Sequence, residues 1–463
     1  MGFMHKHVFR VGLSFFVAFW LGFCSFCQPA TALTEQQKLI SEAWRIVNRT
    51  YLDETFNHQN WAVVRQKALE KPIKDDQTAY TVIQKMLKSL DDPFTRFLNP
   101  EQYRSLQVNT SGELTGVGLQ IALNPETGKL EVVAPISGSP AEKAGIRPHD
   151  RILKIEGFFT ENLTLDEAAT RMRGPIGSTV TLLIERDAGR ELEVQLVRDR
   201  ISLNPVIAEL RTSPQGTSIG YIRLTQFNAN APMELAHAIS SLEKKGANAY
   251  ILDLRNNPGG LLQAGIEIAR LWLNSGTVVY TVNRQGIQGS FDAFGPALTD
   301  DPLVVLVNQG TASASEILAG ALQDNKRALL VGETTFGKGL IQSLFELSNG
   351  AGLAVTIAKY ETPNHHDINK LGIQPDMQIP TEPITREQVG TEADTNIKQP
   401  SQLLKKNAVV ARGRVRDKGT GRQGDKGDKE DKEEALITNL QSYPLLPTPY
   451  PLPPTPSQDA RRS

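Results

Sequence analysis

A serine stands at the junction between a predicted buried strand and a predicted helix, in the segment Asn308-Gln-Gly-Thr-Ala-Ser-Ala-Ser-Glu316. There the amides of the first helical turn point outward, and their field favours negative charge that develops on a reacting oxygen. The segment therefore predicts Ser313 as a nucleophile. Two alternatives stay open: Ser313-x-x-Glu316 has the spacing of a capping box, and Ser315 is a competing serine further into the helix.

A serine nucleophile needs a general base, which is most often a histidine. Five histidines follow residue 32, and no pattern marks any of them, so a Ser/His/Asp triad has no support: His58, His149, His237, His365 and His366. Lys338 is a stronger candidate because it stands between two glycines, where the backbone can turn sharply and aim one side chain into a site. A structural surface lysine is the alternative.

Lysine acts as a base only when it is neutral, and its unperturbed pKa of about 10.4 leaves less than about one molecule in a thousand neutral at pH 7. Burial lowers a lysine pKa by up to about 3–5 units, which brings it near the working pH. The neighbours Phe336, Leu340 and Ile341 are the predicted source of that burial. Gln342, four residues after Lys338 and on the same predicted strand face, is predicted to hold the amine without adding charge.

The loop Asn256-Asn-Pro-Gly-Gly260 links a predicted strand to a predicted helix. Its glycines let backbone N–H groups approach a substrate carbonyl, so the amides of Gly259, Gly260 and Ala314 are predicted to form an oxyanion hole. A simple strand-to-helix turn is the alternative for this loop.

Residues 332–338 also match G-x-x-x-x-G-K, the start of a phosphate-binding loop. The match fails at Gly339, where a serine or threonine would bind magnesium, and the next residues predict a strand instead of a helix. We therefore predict no nucleotide, no metal and no other cofactor.

The 463-residue chain is long enough for about three domains. Its 50 basic and 51 acidic residues give a formal charge of −1, which argues against a nucleic-acid partner. Residues 1–32 combine a basic start, an apolar run and Ala30-x-Ala32, a pattern typical of a secretory signal peptide, with an uncleaved anchor as the alternative. Cys24 and Cys27 both lie in this segment, so its removal would exclude a cysteine nucleophile, a disulfide and thiolate-bound zinc.

Four regions follow the predicted signal. Residues 33–110 are predicted helical, since Ile40, Ala43, Trp44 and Val47 recur at helical spacing. Residues 111–200 form a strand-rich module. Residues 201–383 alternate strand and helix, which implies a largely parallel sheet with crossover helices. Residues 384–463 carry many balanced charges and prolines without apolar periodicity, which predicts a disordered tail that is dispensable for folding and chemistry.

Taken together, the motifs resemble the carboxyl-terminal processing proteases, the tail-specific family of serine proteases. The matching residues are Thr311-Ala-Ser-Ala-Ser-Glu316, Phe336-Gly-Lys-Gly339 with Gln342, and Asp253-Leu-Arg-Asn-Asn-Pro-Gly-Gly260. The resemblance implies a crotonase-like α/β core. It also implies a Ser–Lys dyad steadied by a glutamine, which falls on Ser313, Lys338 and Gln342.

The strand-rich module resembles a PDZ domain inserted before that core. Gly116-Val117-Gly118-Leu119 is similar to the carboxylate-binding loop of such domains, and Gly138-Ser-Pro-Ala-Glu-Lys-Ala-Gly145 with Asp150 is similar to a second PDZ signature. PDZ domains bind C-terminal peptides by strand addition. The resemblance thus implies protein substrates that are bound by their C-termini.

Glu42–Tyr51 and Asp91–Phe97 are most similar to the cyanobacterial and chloroplast branch of the family. This branch implies export to the thylakoid lumen or periplasm, membrane-associated substrates, and maturation of the photosystem II reaction-centre precursor. Two other functions stay open on sequence grounds: a catalytically silent PDZ scaffold, and a crotonase-like acyl-transfer enzyme.

Overall fold

The computed structural model describes residues 33–124, 127–187, 189–213 and 216–379, together with Asp394. The predicted signal peptide, both cysteines and nearly all of the predicted tail lie outside these residues. None of the helices that are described has the length and apolar character needed to cross a membrane.

The N-terminal region is helical, as predicted. Ile40, Ala43 and Val47 are fully buried on one face of its first helix, and they pack with Leu353 and Val355 from a strand near the end of the chain. A short strand, β1, pairs with that same strand, so this region contributes to a sheet of the core. Its elements are α1 (Glu35–Thr50), α2 (Trp61–Leu69), α3 (Asp76–Lys88), β1 (Arg96–Leu98) and α4 (Pro100–Ser111).

The next module is built from short antiparallel strands, as predicted for residues 111–200. Five strands form one sheet in the order β3-β4-β5-β7-β8, and β6 pairs with β5, while β2 pairs with β9. The elements are β2 (Glu113–Gly116), β3 (Leu119–Leu123), β4 (Leu130–Pro135), α5 (Pro140–Lys143), β5 (Arg151–Ile155), β6 (Phe158–Phe159), a 3₁₀ turn (Thr160–Asn162), α6 (Leu165–Met172), β7 (Thr179–Arg186), β8 (Arg190–Val197) and β9 (Asp199–Ser202).

A six-stranded, mainly parallel sheet confirms the predicted alternation of strand and helix. Its order is β10-β11-β12-β15-β16-β19, and every neighbouring pair is parallel except β10 with β11. Its elements are β10 (Val206–Thr212), β11 (Ser218–Leu224), α7 (Ala231–Lys244), β12 (Ala249–Asp253), α8 (Leu262–Trp272), β15 (Leu303–Val307), α9 (Ala314–Asp324), β16 (Ala328–Gly332) and β19 (Met377–Gln378). The carboxyl ends of parallel strands meet at one edge, which brings the loops after β12 and β15 together.

A second, antiparallel sheet completes the core, and the sequence analysis anticipated only part of it. The hairpin at Asn349-Gly350 is confirmed, because β17 (Leu340–Glu346) pairs with β18 (Gly352–Glu361). The hairpin of β13 (Ser275–Asn283) and β14 (Gly286–Phe294) was not predicted. Its strands are only partly buried and carry polar residues and glycines, so their hydrophobic alternation is weak.

One residue of the predicted tail packs on the core. Asp394 is 2% exposed and its carboxylate pairs with the Arg255 guanidinium. The expectation that the chain stops contributing to the fold at Pro383 is therefore wrong at this residue. An isolated carboxylate within a charged, proline-rich stretch carries no sequence signal that it meets a buried arginine.

Candidate active site

Ser313 lies between the end of β15 and the start of α9, as predicted. Its backbone has φ 59° and ψ −119°, a left-handed conformation that is uncommon for a residue with a side chain. Such strain persists where surrounding contacts over-determine it, and it is frequent at functional sites. The side chain is half-buried, so the hydroxyl stands at the edge of the core.

Glu316 connects the serine segment to the lysine loop. Its buried carboxylate accepts the Ser313 amide at 2.8 Å and the Lys338 amide at 2.9 Å on the same oxygen, Oε2. Its other oxygen accepts the Gly337 amide at 2.7 Å and the Thr335 hydroxyl at 2.5 Å. The Glu316 amide in turn donates to the Ser313 carbonyl oxygen at 2.8 Å. The predicted capping-box glutamate thus also fixes the two loops against each other.

Ser315, the competing serine, is fully buried. Its hydroxyl donates to the carbonyl oxygen of Asn257 at 3.0 Å, and the Ala312 amide donates to the same oxygen at 3.0 Å. This places Ser315 in the packing between the serine segment and the glycine loop, which favours Ser313 as the reactive residue.

Gly259 lies directly against the serine. A Cβ at this position would stand 2.8 Å from the Ala314 nitrogen and 2.9 Å from the Ser313 Cβ, so any side chain here would cover the first amide of α9. The Gly259 amide itself donates to Asn257 Oδ1 at 2.9 Å. Of the three amides predicted for the oxyanion hole, those of Gly260 and Ala314 are thus the better candidates. Gly259 leaves the Ala314 amide uncovered because it has no side chain.

Lys338 lies in a loop that packs closely against residues 369–372. A Cβ at Gly339 would come within 2.7 Å of the Asn369 nitrogen, which is why glycine is needed beside the lysine. Burial lowers the pKa of the Lys338 amine below its ordinary value, and the nearby Arg96 charge lowers it further, while Glu316 and Asp92 act in the opposite direction. The pKa of Lys338 is therefore lowered, as predicted. Phe336, however, is 58% exposed and contributes little to the burial of the amine.

The Lys338 amine rests against an aromatic ring from the N-terminal region. Its Nζ lies 5.0 Å from the centroid of the Phe94 ring, a cation–π distance. Within the part of the chain that the structure describes, no hydrogen bond joins this Nζ to the Ser313 hydroxyl. The main chains of the two residues are thus fixed together through Glu316, and the lysine amine contacts the Phe94 ring.

Gln342 lies in β17, and its Nε2 donates to the Thr356 hydroxyl at 3.4 Å. Lys338 lies in the loop before β17, which begins at Leu340, so strand parity does not relate the two side chains. The role of Gln342 beside the lysine amine stays a prediction.

A buried ion network lies at the base of the glycine loop. Arg255 directs Nη2 at Asp253 Oδ2 (2.6 Å) and at Asp394 Oδ2 (2.5 Å), and its Nε donates to Asp253 Oδ1 (2.9 Å). The Tyr221 hydroxyl donates to Asp253 at 2.7 Å. Arg255 immediately precedes the loop, so this network fixes the point from which the loop departs.

The predicted carboxylate-binding loop joins two strands of the small module. Gly116 ends β2, Leu119 begins β3, and the buried Val117 lies between them with Gly118. The second predicted signature is also ordered, because Arg186 holds both carboxylate oxygens of Asp150 at 2.7 and 2.6 Å.

Comparison with known proteins identifies the family. Residues 218–379 match peptidase family S41, and residues 131–186 match the PDZ domain. The carboxyl-terminal-processing protease of Synechocystis sp. is 62% identical over 384 residues, which cover 82% of this chain and 90% of that protein. The chain belongs to the carboxyl-terminal-processing proteases.

Two further members of this family support the assignment. The chloroplastic carboxyl-terminal-processing peptidase 2 of Arabidopsis thaliana is 48% identical over 364 residues, 76% of this chain and 70% of that protein. A solved structure named photosystem II D1 C-terminal processing protease is 41% identical, with a TM-score of 0.50, and covers 78% of this chain and 99% of that one. The resemblance found in the motifs is confirmed: the chain is a serine-type protease with a PDZ domain.

The contacts of three residues of this protease could not be anticipated from the sequence. Glu316 was predicted as a helix cap and as part of a family motif, and Arg255 only as part of a family motif. Tyr360 carried no signal, because an aromatic residue in a strand is usually a core residue. Its hydroxyl nevertheless contacts the carbonyl oxygens of Ser313 and Lys338.

Proposed function

We propose that the protein is an exported endopeptidase that works with a Ser313–Lys338 dyad and binds substrates by their C-termini. One observation carries the dyad: the amides of both residues converge on a single carboxylate oxygen of Glu316. The strained backbone of Ser313 and the lowered pKa of Lys338 support it.

In the proposed reaction neutral Lys338 takes the proton of the Ser313 hydroxyl while Oγ attacks the scissile carbonyl carbon. The carbonyl oxygen becomes negative and accepts the amides of Ala314 and Gly260. Collapse of the tetrahedral intermediate breaks the C–N bond, and protonated Lys338 gives its proton to the leaving amine. Water, deprotonated by the same lysine, then hydrolyses the acyl-enzyme and restores both residues.

The lysine amine contacts the Phe94 ring and, within the described residues, makes no hydrogen bond to the Ser313 hydroxyl. We propose that it forms this bond by rotation of the lysine side chain, over a main chain that stays fixed. A lysine has several rotatable bonds, so this movement needs no change in the loop. Gln342 is proposed to meet the amine in its rotated position.

The PDZ module is proposed to bind the free C-terminal carboxylate of the substrate through the amides of Gly116–Leu119 and to add the peptide as a strand. Relatives that are cyanobacterial, chloroplastic or named for D1 processing support the photosystem II precursor as substrate. We accordingly propose export by residues 1–32 to the thylakoid lumen or periplasm.

Two serine variants test the dyad. Ser313→Ala is expected to abolish peptide cleavage, and Ser315→Ala to retain substantial activity although it loses a buried hydrogen bond of about 1 kcal/mol. An active Ser313→Ala protein would refute the assignment. Circular dichroism must show that both variants are folded.

Two peptides test whether the PDZ module recognises the C-terminus of the substrate. The peptides share one sequence and end either in a free carboxylate or in an amide. We expect a higher KM for the amidated peptide, and cleavage at equal rates would contradict recognition of the C-terminus by the PDZ module.

A further inference from the structure

Tyr360 occupies a central position between the two proposed catalytic segments. It lies in β18 with its ring 1% exposed. Its amide donates to the Gly339 carbonyl oxygen at 3.0 Å. Its hydroxyl lies within hydrogen-bond distance of the Lys338 carbonyl oxygen and of the Ser313 carbonyl oxygen, the latter at 3.1 Å, and shares its single proton between them. One side chain therefore reaches the main chain of both the proposed nucleophile and the proposed base.

The contacts of Tyr360 complement those of Glu316. The Glu316 carboxylate accepts the N–H groups of Ser313 and Lys338, whereas the Tyr360 hydroxyl meets the carbonyl oxygens of the same two residues. The N–H groups of the two residues are thus fixed by one carboxylate, and their carbonyl oxygens share the single proton of one hydroxyl. Such pairing fixes both the separation and the rotation of the two segments.

The serine needs this restraint. A left-handed backbone such as that of Ser313 is strained and persists only where its surroundings impose it. In a nucleophile–base pair, a displacement of about 1 Å can lower the rate about a hundred-fold. The Tyr360 hydroxyl contacts the carbonyl oxygens of both Ser313 and Lys338, so it limits such a displacement.

Tyr360 is suited to donate and unsuited to transfer protons. Burial raises the pKa of its phenol well above the ordinary value, and the Glu316 charge raises it further. The hydroxyl therefore keeps its proton across the working pH range. Because it faces main-chain carbonyl oxygens, a direct role in acid–base chemistry is not needed to explain its position.

We infer that Tyr360 is a positioning residue whose hydroxyl keeps the Ser313 segment and the Lys338 loop in register for proton transfer. The inference rests on the proposed Ser–Lys dyad. Tyr360, a strand residue outside the catalytic motifs, thereby affects the rate of the chemical step. Substrate binding should not depend on it, because the hydroxyl faces the protein interior.

The test is Tyr360→Phe, which keeps the ring and removes only the hydroxyl. We expect kcat to fall about ten-fold or more, with KM changed less than about two-fold and the pH dependence of the remaining activity unchanged. Tyr250→Phe is the matched control, since Tyr250 is also fully buried and, among the residues that the structure describes, its hydroxyl has a hydrogen bond only to the Ile239 carbonyl oxygen, at 3.5 Å. The control should keep its kcat.

A second variant separates positioning from stability. Installing 4-aminophenylalanine at position 360 returns a hydrogen-bond donor to the ring and is expected to recover most of the lost kcat. The rate of Ser313 modification by diisopropyl fluorophosphate, which needs no peptide, should follow kcat in all variants. Melting temperatures confirm that each protein is folded at the assay temperature.

Each outcome decides one question. Wild-type kcat in Tyr360→Phe, or an equal loss in Tyr250→Phe, would overturn the inference while the dyad stands. A shifted pH profile, or no rescue by the amine, would also overturn it. Cleavage by Ser313→Ala would instead refute the dyad itself, whatever Tyr360→Phe does.

Discussion

Asp394 forms a two-point ion pair with Arg255, with Oδ1 3.2 Å from Nη1 and Oδ2 2.5 Å from Nη2. Both side chains are almost completely buried. Arg255 immediately precedes the loop that carries Gly259 and Gly260, so a residue from the predicted tail contacts a side chain that supports the proposed active site.

Truncation after Pro383 is therefore expected to destabilise the protein. Removing one partner of a buried ion pair costs about 3–5 kcal/mol, less where the other partner keeps a second carboxylate, as Arg255 does with Asp253. We expect a Tm lower by about 5–10 °C, measured by calorimetry. Asp394→Asn should lower the Tm in the same direction.

Two controls accompany this prediction. Truncation after Pro400 keeps Asp394 and should melt like the full chain. Asp367→Asn removes a carboxylate from an exposed pair, in which Asp367 stays 45% exposed beside Lys359, and should cost less than about 1 kcal/mol. Equal melting of both truncated proteins would show that Asp394 contributes nothing.

Gly259→Ala is expected to remove most of the activity. The added methyl group would stand 2.8 Å from the Ala314 nitrogen, and loss of one oxyanion donor lowers kcat about 10²–10³-fold. Gly246→Ala is the control for backbone strain: its φ of +89° is close to the +90° of Gly259, but nothing lies within 4 Å of its added methyl. Both variants should lose stability from this strain, Gly259→Ala should lose more because its methyl group also contacts the serine segment, and only Gly259→Ala should lose activity. Similar activities would show that the Ala314 amide is not used.

Lys338→Arg is expected to be nearly inactive, because a guanidinium stays protonated and cannot accept the serine proton. In the wild type, kcat/KM should rise with pH as the amine loses its proton and then level off. Since burial lowers the pKa of Lys338, the plateau should begin below the ordinary lysine pKa of about 10.4. Lys359→Arg, in an ion pair near the surface, is the control that should tolerate the change. A pH-independent rate would exclude Lys338 as the base.

The sequence predicted the motifs of the site better than their connections. Ser313 was anticipated because the strand end and the capping spacing are both local signals. The fourfold use of the Glu316 carboxylate was not, since its donors Thr335, Gly337 and Lys338 lie about twenty residues away and meet it only after folding.

In the fold, too, elements with strong local signals were predicted, and features that depend on long-range pairing were not. The parallel sheet followed from buried apolar runs such as Tyr250–Asp253, whereas the half-exposed hairpin β13–β14 left no clear alternation. Strand parity was applied to Lys338 and Gln342 as if both lay in one strand, but β17 begins only at Leu340, where its pairing with β18 starts. Long-range pairing of this kind cannot be deduced from one segment.

Phe94→Leu is expected to shift the activity profile to lower pH. The ring attracts the charged amine, and an attraction of about 0.5–1 kcal/mol corresponds to about half a pKa unit. Leucine keeps the apolar cover but removes this attraction, so the pKa of Lys338 should fall by about half a unit. More enzyme would then carry the neutral base below the plateau, and kcat/KM there should rise up to about three-fold.

Phe94→Ala should act in the opposite direction. The smaller side chain admits water to the amine, and burial is the largest cause of the lowered Lys338 pKa, so the profile should move to higher pH. Phe159→Leu removes a comparable ring, 4.3 Å from Lys154 Nζ in the PDZ module, and should leave the profile unchanged. If the leucine and alanine variants shift the profile in the same direction, or neither shifts it, Phe94 does not control the ionisation of the base.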